Sequence, residues 1–173
     1  MTAGLAPRVL GGVRRFWVAI VLVVLLVTAG GVTGWLYQTK YRFDQATGTA
    51  AADAAVQAAS DGTIALLSYS PQNLETDFTN ARSHLTGDFL NYYNQFTEQI
   101  VSPAAKKNGV TTSASVVNAA VSELYPDRAV VLVFLNQSTT SSENPDGSFS
   151  TSSVKVGLAK VDGSWRIASF DPV

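Results

Sequence analysis

Residues 16–39 run FWVAIVLVVLLVTAGGVTGWLYQT without one charged side chain. At about 1.5 Å of rise per residue, a helix of this length crosses the roughly 30 Å hydrocarbon core of a bilayer, and the pattern predicts a transmembrane helix. Arg14 and Arg15 bound it on one side, and Lys40 and Arg42 on the other. Phe16, Trp17, Trp35 and Tyr37 lie where an interfacial aromatic belt would sit. The pattern then turns amphipathic. Thr49, Asp53, Gln57 and Asp61 recur every four residues through an alanine-rich stretch, which predicts a helix over 50–68 that Pro71 ends. After Ser70, Pro71 and Asn73, the residues Leu74, Phe78, Ala81 and Leu85 follow at helical spacing and predict a short second helix. Gly87 interrupts it, and Thr86 can cap a third helix on which Phe89, Tyr92, Tyr93, Phe96 and Ile100 share one face. That face is expected to be buried. The helix should reach Val101, with Ser102-Pro103 restarting a helical turn that Asn108-Gly109 closes.

From Val110 the period becomes two. Val110, Thr112, Ala114 and Val116 alternate, and the apolar phase then moves to Val117, Ala119 and Val121, a slip by one that predicts a β-bulge in a long bent strand. Tyr125-Pro126-Asp127 turns the chain into a second strand from Arg128 to Gln137, whose AVVLVFL core is apolar on both faces, as in a central strand. Residues 138–148 are polar and include Pro-Asp-Gly, which predicts a mobile hairpin loop. Val154, Val156 and Leu158 mark a third strand. Asp162-Gly163 is a two-residue hairpin signal, and Trp165, Ile167 and Ser169 alternate with Arg166, Ala168 and Phe170 in a fourth.

The expected architecture is α+β: an N-terminal single transmembrane helix, then a cone-shaped domain of about three helices packed on a curved antiparallel sheet of about four strands. Its organisation reads as a tail (1–15), a span (16–39) and one soluble domain (40–173). The tail carries Arg8, Arg14 and Arg15 and no acid, so the positive-inside rule puts it in the cytoplasm and residues 40–173 outside. The rival reading is a signal peptide cleaved after Ala29; the uncharged run past Ala29, with Trp35 and Leu36, argues for retention.

Charge narrows the function. The formal net charge is −1, and beyond the span the basic residues are scattered apart from Lys106 and Lys107, so no nucleic-acid footprint is present. With no cysteine and one histidine, His84, the chain has neither thiol chemistry nor the ligands for a His- or Cys-based metal site. No cofactor is expected.

The single span, the alanine-rich helix, LLSYSPQNLETDFTNARSHLTGDFLNYY, AVVLVFLNQST and the closing DGSWRIASFDPV together resemble the Mce-associated membrane proteins of mycobacteria and related actinobacteria. The resemblance runs from the span to Val173. Its most specific pieces are Tyr69-Ser70-Pro71, Leu85-Thr86-Gly87-Asp88-Phe89 and Asp162-Gly163-Ser164-Trp165. It implies a nuclear-transport-factor-2-like extracytoplasmic domain, similar to that of assembly subunits in type IV secretion. It also implies a non-enzymatic accessory of an Mce lipid-transport complex in the cell membrane, with Mce transporter subunits or other Mce-associated proteins as partners. No catalytic motif comes with it.

Two other classes of function fit parts of the sequence. Phe89, Tyr92, Tyr93, Phe96, Phe134 and Trp165 form a candidate pocket or interface: read plainly they are core, and read sharply they line an apolar cavity that would make the protein a lipid carrier. A ketosteroid-isomerase-like enzyme would need an Asp base facing an oxyanion hole, for which Asp88 with Tyr92 or Tyr93 is the nearest set. In the first turn of a helix, Asp88 is accounted for by the N-terminal dipole alone.

Overall fold

A computed structural model describes residues 24–35, 37 and 47–173. The chain divides into two compact units, Met1–Asp44 and Gln45–Val173. Much of the predicted span lies outside the described residues; its described part, 24–35 and 37, is helical. Among the described residues no helix is long and apolar enough to cross a membrane. Within the first unit, Thr28 Oγ1 donates to Val24 O at 2.9 Å and Thr33 Oγ1 to Ala29 O at 2.7 Å, so each hydroxyl is satisfied by its own helix.

The second unit opens with helix α1, Thr49–Leu67, one residue from the predicted bounds at either end. Asp53, Gln57 and Asp61 are exposed as expected, while Ala55, Ala59, Gly62, Thr63 and Leu66 are buried. Small side chains let this helix approach closely. A Cβ on Gly62 would lie 2.6 Å from Ile167 Cδ1 and 3.3 Å from His84 Cβ, so the glycine that weakens the helix is needed for packing.

Helix α2, Leu74–Ser83, buries Leu74, Phe78 and Ala81. Asn73 occupies its N-cap position but its side chain makes no capping bond. Asp77 Oδ2 instead accepts the Ser70 N–H at 3.0 Å, fixing the turn before the helix. The chain on either side of α2 is pinned to a strand. Tyr69 pairs antiparallel with Thr112, exchanging both backbone bonds at 2.9 Å, and Leu85 pairs parallel with Ile167.

Helix α3, Gly87–Phe96, passes through a π-helical turn, Thr97–Val101, into α4, Ser102–Asn108. The predicted break before Ser102-Pro103 is therefore absent, and the expected third helix and its appended turn become one continuous path of two α-helices. Pro103 has no N–H and its ring would press on the carbonyl one turn back; a π turn just ahead of it relieves that conflict. Thr97 Oγ1 donates to Tyr93 O at 2.7 Å within the widened turn. Gly109, at φ 64°, closes α4 in the left-handed conformation.

Strands β1 (Thr111–Leu124), β2 (Arg128–Thr140), β3 (Ser148–Val161) and β4 (Ser164–Pro172) form an antiparallel meander in the order β1-β2-β3-β4. Tyr69 and Leu85 therefore cover parts of its two opposite edges. The β1–β2 register slips between Val116 and Asn118, the predicted bulge, and again between Val121 and Glu123. Each slip resets the phase. Thr112 and Ala114 are buried and Val116, Ala119, Val121 and Leu124 half-buried, all turned to the helices.

The core lies between helices and sheet, on Val131, Val133, Leu135, Val156 and Ile167, each fully buried. Two expectations about β2 are corrected. Its second face is not buried: Val130 and Leu132 are half-covered by sheet neighbours, and Phe134 is 42 % exposed. The strand also runs past Gln137, pairing Ser138 with Phe149 and Thr139 with Ser148, so the connecting loop is only 141–147. Serine and threonine suit a solvated ladder, where backbone and side-chain bonds such as Thr151 Oγ1 to Asn136 Oδ1 at 2.8 Å need no burial. The loop itself is tied down, with Ser142 N donating to Asn108 O at 2.9 Å.

Candidate functional site

Where α3 and its π turn face the end of β4, the chain leaves a cleft of about 470 Å³. Leu66 and Leu67 from the end of α1, Tyr69, Phe78 of α2 and Gln137 of β2 complete its lining. Tyr93 (7 % exposed) packs edge-on to Phe78 (5 % exposed), ring centroids 6.3 Å apart, and Phe78 meets Tyr69 at 5.8 Å. The outer wall is a ladder of near-parallel rings: Phe170 to Phe89 at 6.3 Å, Phe89 to Tyr92 at 6.3 Å and Tyr92 to Phe96 at 5.9 Å.

The spacing of α3 explains this division of labour. Phe89, Tyr92 and Phe96 lie one turn apart along a face directed to the cleft mouth, and Tyr93, about 100° further round, points into the protein. The expected fully buried aromatic face is thus divided: Tyr93 is core, whereas Tyr92 is 60 % and Phe96 39 % exposed, and Ile100 is exposed beyond them. Of the six candidate residues, the structure gathers Phe89, Tyr92, Tyr93 and Phe96 at the cleft. Phe134 is on the outer face of the sheet. Trp165 faces the helices from the far end of β4, half-buried, with Lys160 Nζ 5.1 Å from its ring.

Phe170 is the lining residue that alternation misassigns. Leu158 pairs with Ile167 and Gly157 with Ser169, which leaves Ala168 as an extra residue. Phe170 therefore returns to the helix-facing side and stacks on Phe89. Nothing in β4's sequence marks that slip, because Ala168 has no side chain whose polarity would betray it. Phe78 carried a signal, as part of the second helix's apolar stripe, but that stripe does not say which end is left open.

Among the described residues, none that lines the cleft is charged. Thr97 uses its hydroxyl on Tyr93 O, and the Tyr93 hydroxyl is buried without a hydrogen-bond partner among the described residues. Burial pushes Tyr93 up to about 12, an effect that Arg82 opposes and that Tyr69 and Asp77 reinforce. Asp88, in the first turn of α3, is exposed and does not line the cleft. A base and an oxyanion hole are therefore not brought together there. His84 borders shallower depressions near Asp61 and Trp165. Among the described residues no three His, Cys, Asp or Glu side chains are grouped to hold a metal. A mainly aromatic and aliphatic lining of this kind suits an uncharged apolar group.

Solved structures share this architecture. The periplasmic domain of DotI superposes with a TM-score of 0.55 at 16 % identity, covering 68 % of this chain and 91 % of that one. A periplasmic fragment of TraM gives 0.56 at 6 % identity over 69 % and 95 % of the two chains. An IcmL-like type IV secretion system protein from Legionella pneumophila gives 0.54 at 13 %, over 68 % and 88 %. The fold is α+β of the nuclear-transport-factor-2-like type. No family model matches the chain. Its sequence is 63 % identical over 156 residues to the uncharacterized protein Rv1362c of Mycobacterium tuberculosis, covering 90 % of this chain and 71 % of the relative. It is 43 % identical over 118 residues to the outer membrane protein Rv1973 of the same organism, covering 68 % and 73 %. A shared length and identity of this order make the chain a member of the mycobacterial family that includes Rv1362c and Rv1973.

Proposed function

We propose that the protein is a non-enzymatic, single-pass accessory subunit of an Mce lipid-transport complex, with residues 1–15 in the cytoplasm, 16–39 in the membrane and 40–173 outside. The observation that carries this reading is a juxtaposition: a domain with the fold of periplasmic secretion-system domains follows an uncharged apolar run. The back-bonded hydroxyls of Thr28 and Thr33 favour it, since a helix in hydrocarbon must satisfy its polar groups internally. A mycobacterial relative named as an outer membrane protein supports an envelope location, and the secretion-system neighbours, as parts of protein assemblies, support protein partners. Anchoring would raise the domain's effective concentration beside those partners.

Two measurements test the reading. Mass spectrometry of the full-length chain gently extracted from its own membranes is expected to find transporter subunits in fixed proportion; their absence rejects the complex. Topology is accessible because the chain has no cysteine. In intact cells a membrane-impermeant maleimide should label Ser148→Cys and leave Ala3→Cys untouched, and the reverse pattern would invert the orientation.

A further inference from the structure

We infer that the aromatic cleft is a binding site for the hydrocarbon tail of a lipid, entering between α3 and β4 past the Phe89–Tyr92–Phe96 ladder. The inference does not depend on the transport complex. With no charged lining residue among those described, the cleft cannot compensate a buried headgroup charge, so the enclosed part of its ligand is neutral. A peptide is a poor occupant for a related reason. Each of its residues brings a backbone donor and acceptor that need partners once buried. Against that demand the cleft's side chains offer only Gln137, the tyrosine hydroxyls and a threonine already bonded to Tyr93 O. A methylene chain makes no such demand.

Three positive features agree. The volume, about 470 Å³, lies in the range of small-ligand pockets, and the lining is mainly aromatic and aliphatic with few polar groups. Tyr92 and Phe96 expose large apolar surfaces at the mouth. Among the described residues the buried Tyr93 hydroxyl has no partner, and burial of such a group is costly unless something bonds it. An ester carbonyl oxygen at one point along the ligand would supply that bond. The class that combines a neutral elongated tail with one such oxygen is the fatty acyl chain.

The test uses the full-length chain in phosphatidylcholine vesicles doped with a phosphatidylcholine that carries a photoreactive diazirine at the end of one acyl chain. After illumination and digestion, labels are expected on α3 and β4 as well as on residues 16–39. Val101→Trp, which fills the cleft from a half-buried wall position, should remove the α3 and β4 labels. Tyr93→Phe should weaken them roughly fivefold, the order of one lost hydrogen bond. Phe134→Ala, on the outer sheet face, should leave them unchanged. Labelling confined to residues 16–39 overturns the inference, as does α3 labelling that survives Val101→Trp. Equal labelling of Phe134 and Phe149 overturns it too, by marking adsorption to any exposed apolar side chain. Loss of transporter subunits from the purified complex bears on the preceding proposal and leaves these labels unaffected.

Discussion

Replacing Ile167 by Ala is expected to destabilise the domain by about 2–5 kcal/mol, a large share of the roughly 5–15 kcal/mol available to a folded domain. The side chain is fully buried, and the backbone on either side of it holds the sheet to the helices: Ile167 N donates to His84 O at 2.8 Å and Thr86 N donates to Ile167 O at 2.9 Å. The contact with Gly62 turns this into a sharper experiment. Gly62→Ala gains about 1 kcal/mol of helix propensity, but the new methyl meets Ile167 Cδ1 at 2.6 Å, and overpacking of this kind costs about 1–3 kcal/mol. Ile167→Val deletes that same Cδ1, at a cost of about 1 kcal/mol. Each single variant should be less stable than the parent. The double variant should nearly match it, because the methyl added on α1 fills the space vacated on β4, giving a coupling of about 1–2 kcal/mol. Chemical unfolding followed by near-ultraviolet circular dichroism measures all four corners of the cycle. Strict additivity would mean that α1 and β4 do not meet at this point.

That contact also shows where the sequence is legible and where it is silent. Helix α1 and the solvated row Asp53, Gln57, Asp61 follow from spacing, as do the β1 bulge at Val117 and the Asp162-Gly163 hairpin, because each depends on near neighbours in the chain. Gly62 appears in sequence only as a residue that weakens a helix. Its purpose belongs to Ile167, more than a hundred positions later. The cleft divides in the same way. Phe89, Tyr92, Tyr93 and Phe96 are visible as a helical cluster, but whether such a face is core or mouth depends on how far β4 reaches across it. The slip at Ala168 decides that by turning Phe170 inward. The outer face of β2 reads as buried because Val130, Leu132 and Phe134 are apolar, yet composition carries no information on whether a second layer exists to cover them.

Tyr93 makes the second large effect, and it is a pH effect. In the folded domain its hydroxyl titrates near 12 because burial disfavours the phenolate, against about 10 for an unfolded chain. Below pH 10 both states hold the proton and Tyr93 contributes no slope. Between pH 10 and 12 the unfolded chain gives up its proton while the folded one keeps it, so stability falls as pH rises. The loss from this group levels off near roughly 2–3 kcal/mol above pH 12. Other groups titrate in the same window, and the informative quantity is the difference from Tyr93→Phe, which lacks the proton. That difference should open above pH 10, with the phenylalanine variant the more stable. At neutral pH the variant should already lead by about 1 kcal/mol, since it removes a buried hydroxyl with no partner among the described residues. A variant that is less stable at pH 7 would show that the hydroxyl is satisfied within the fold. If Tyr93→Phe is instead more stable and holds the acyl probe less well, the hydroxyl is retained at a cost to the empty domain, as expected where a binding site is kept ready for a ligand's oxygen.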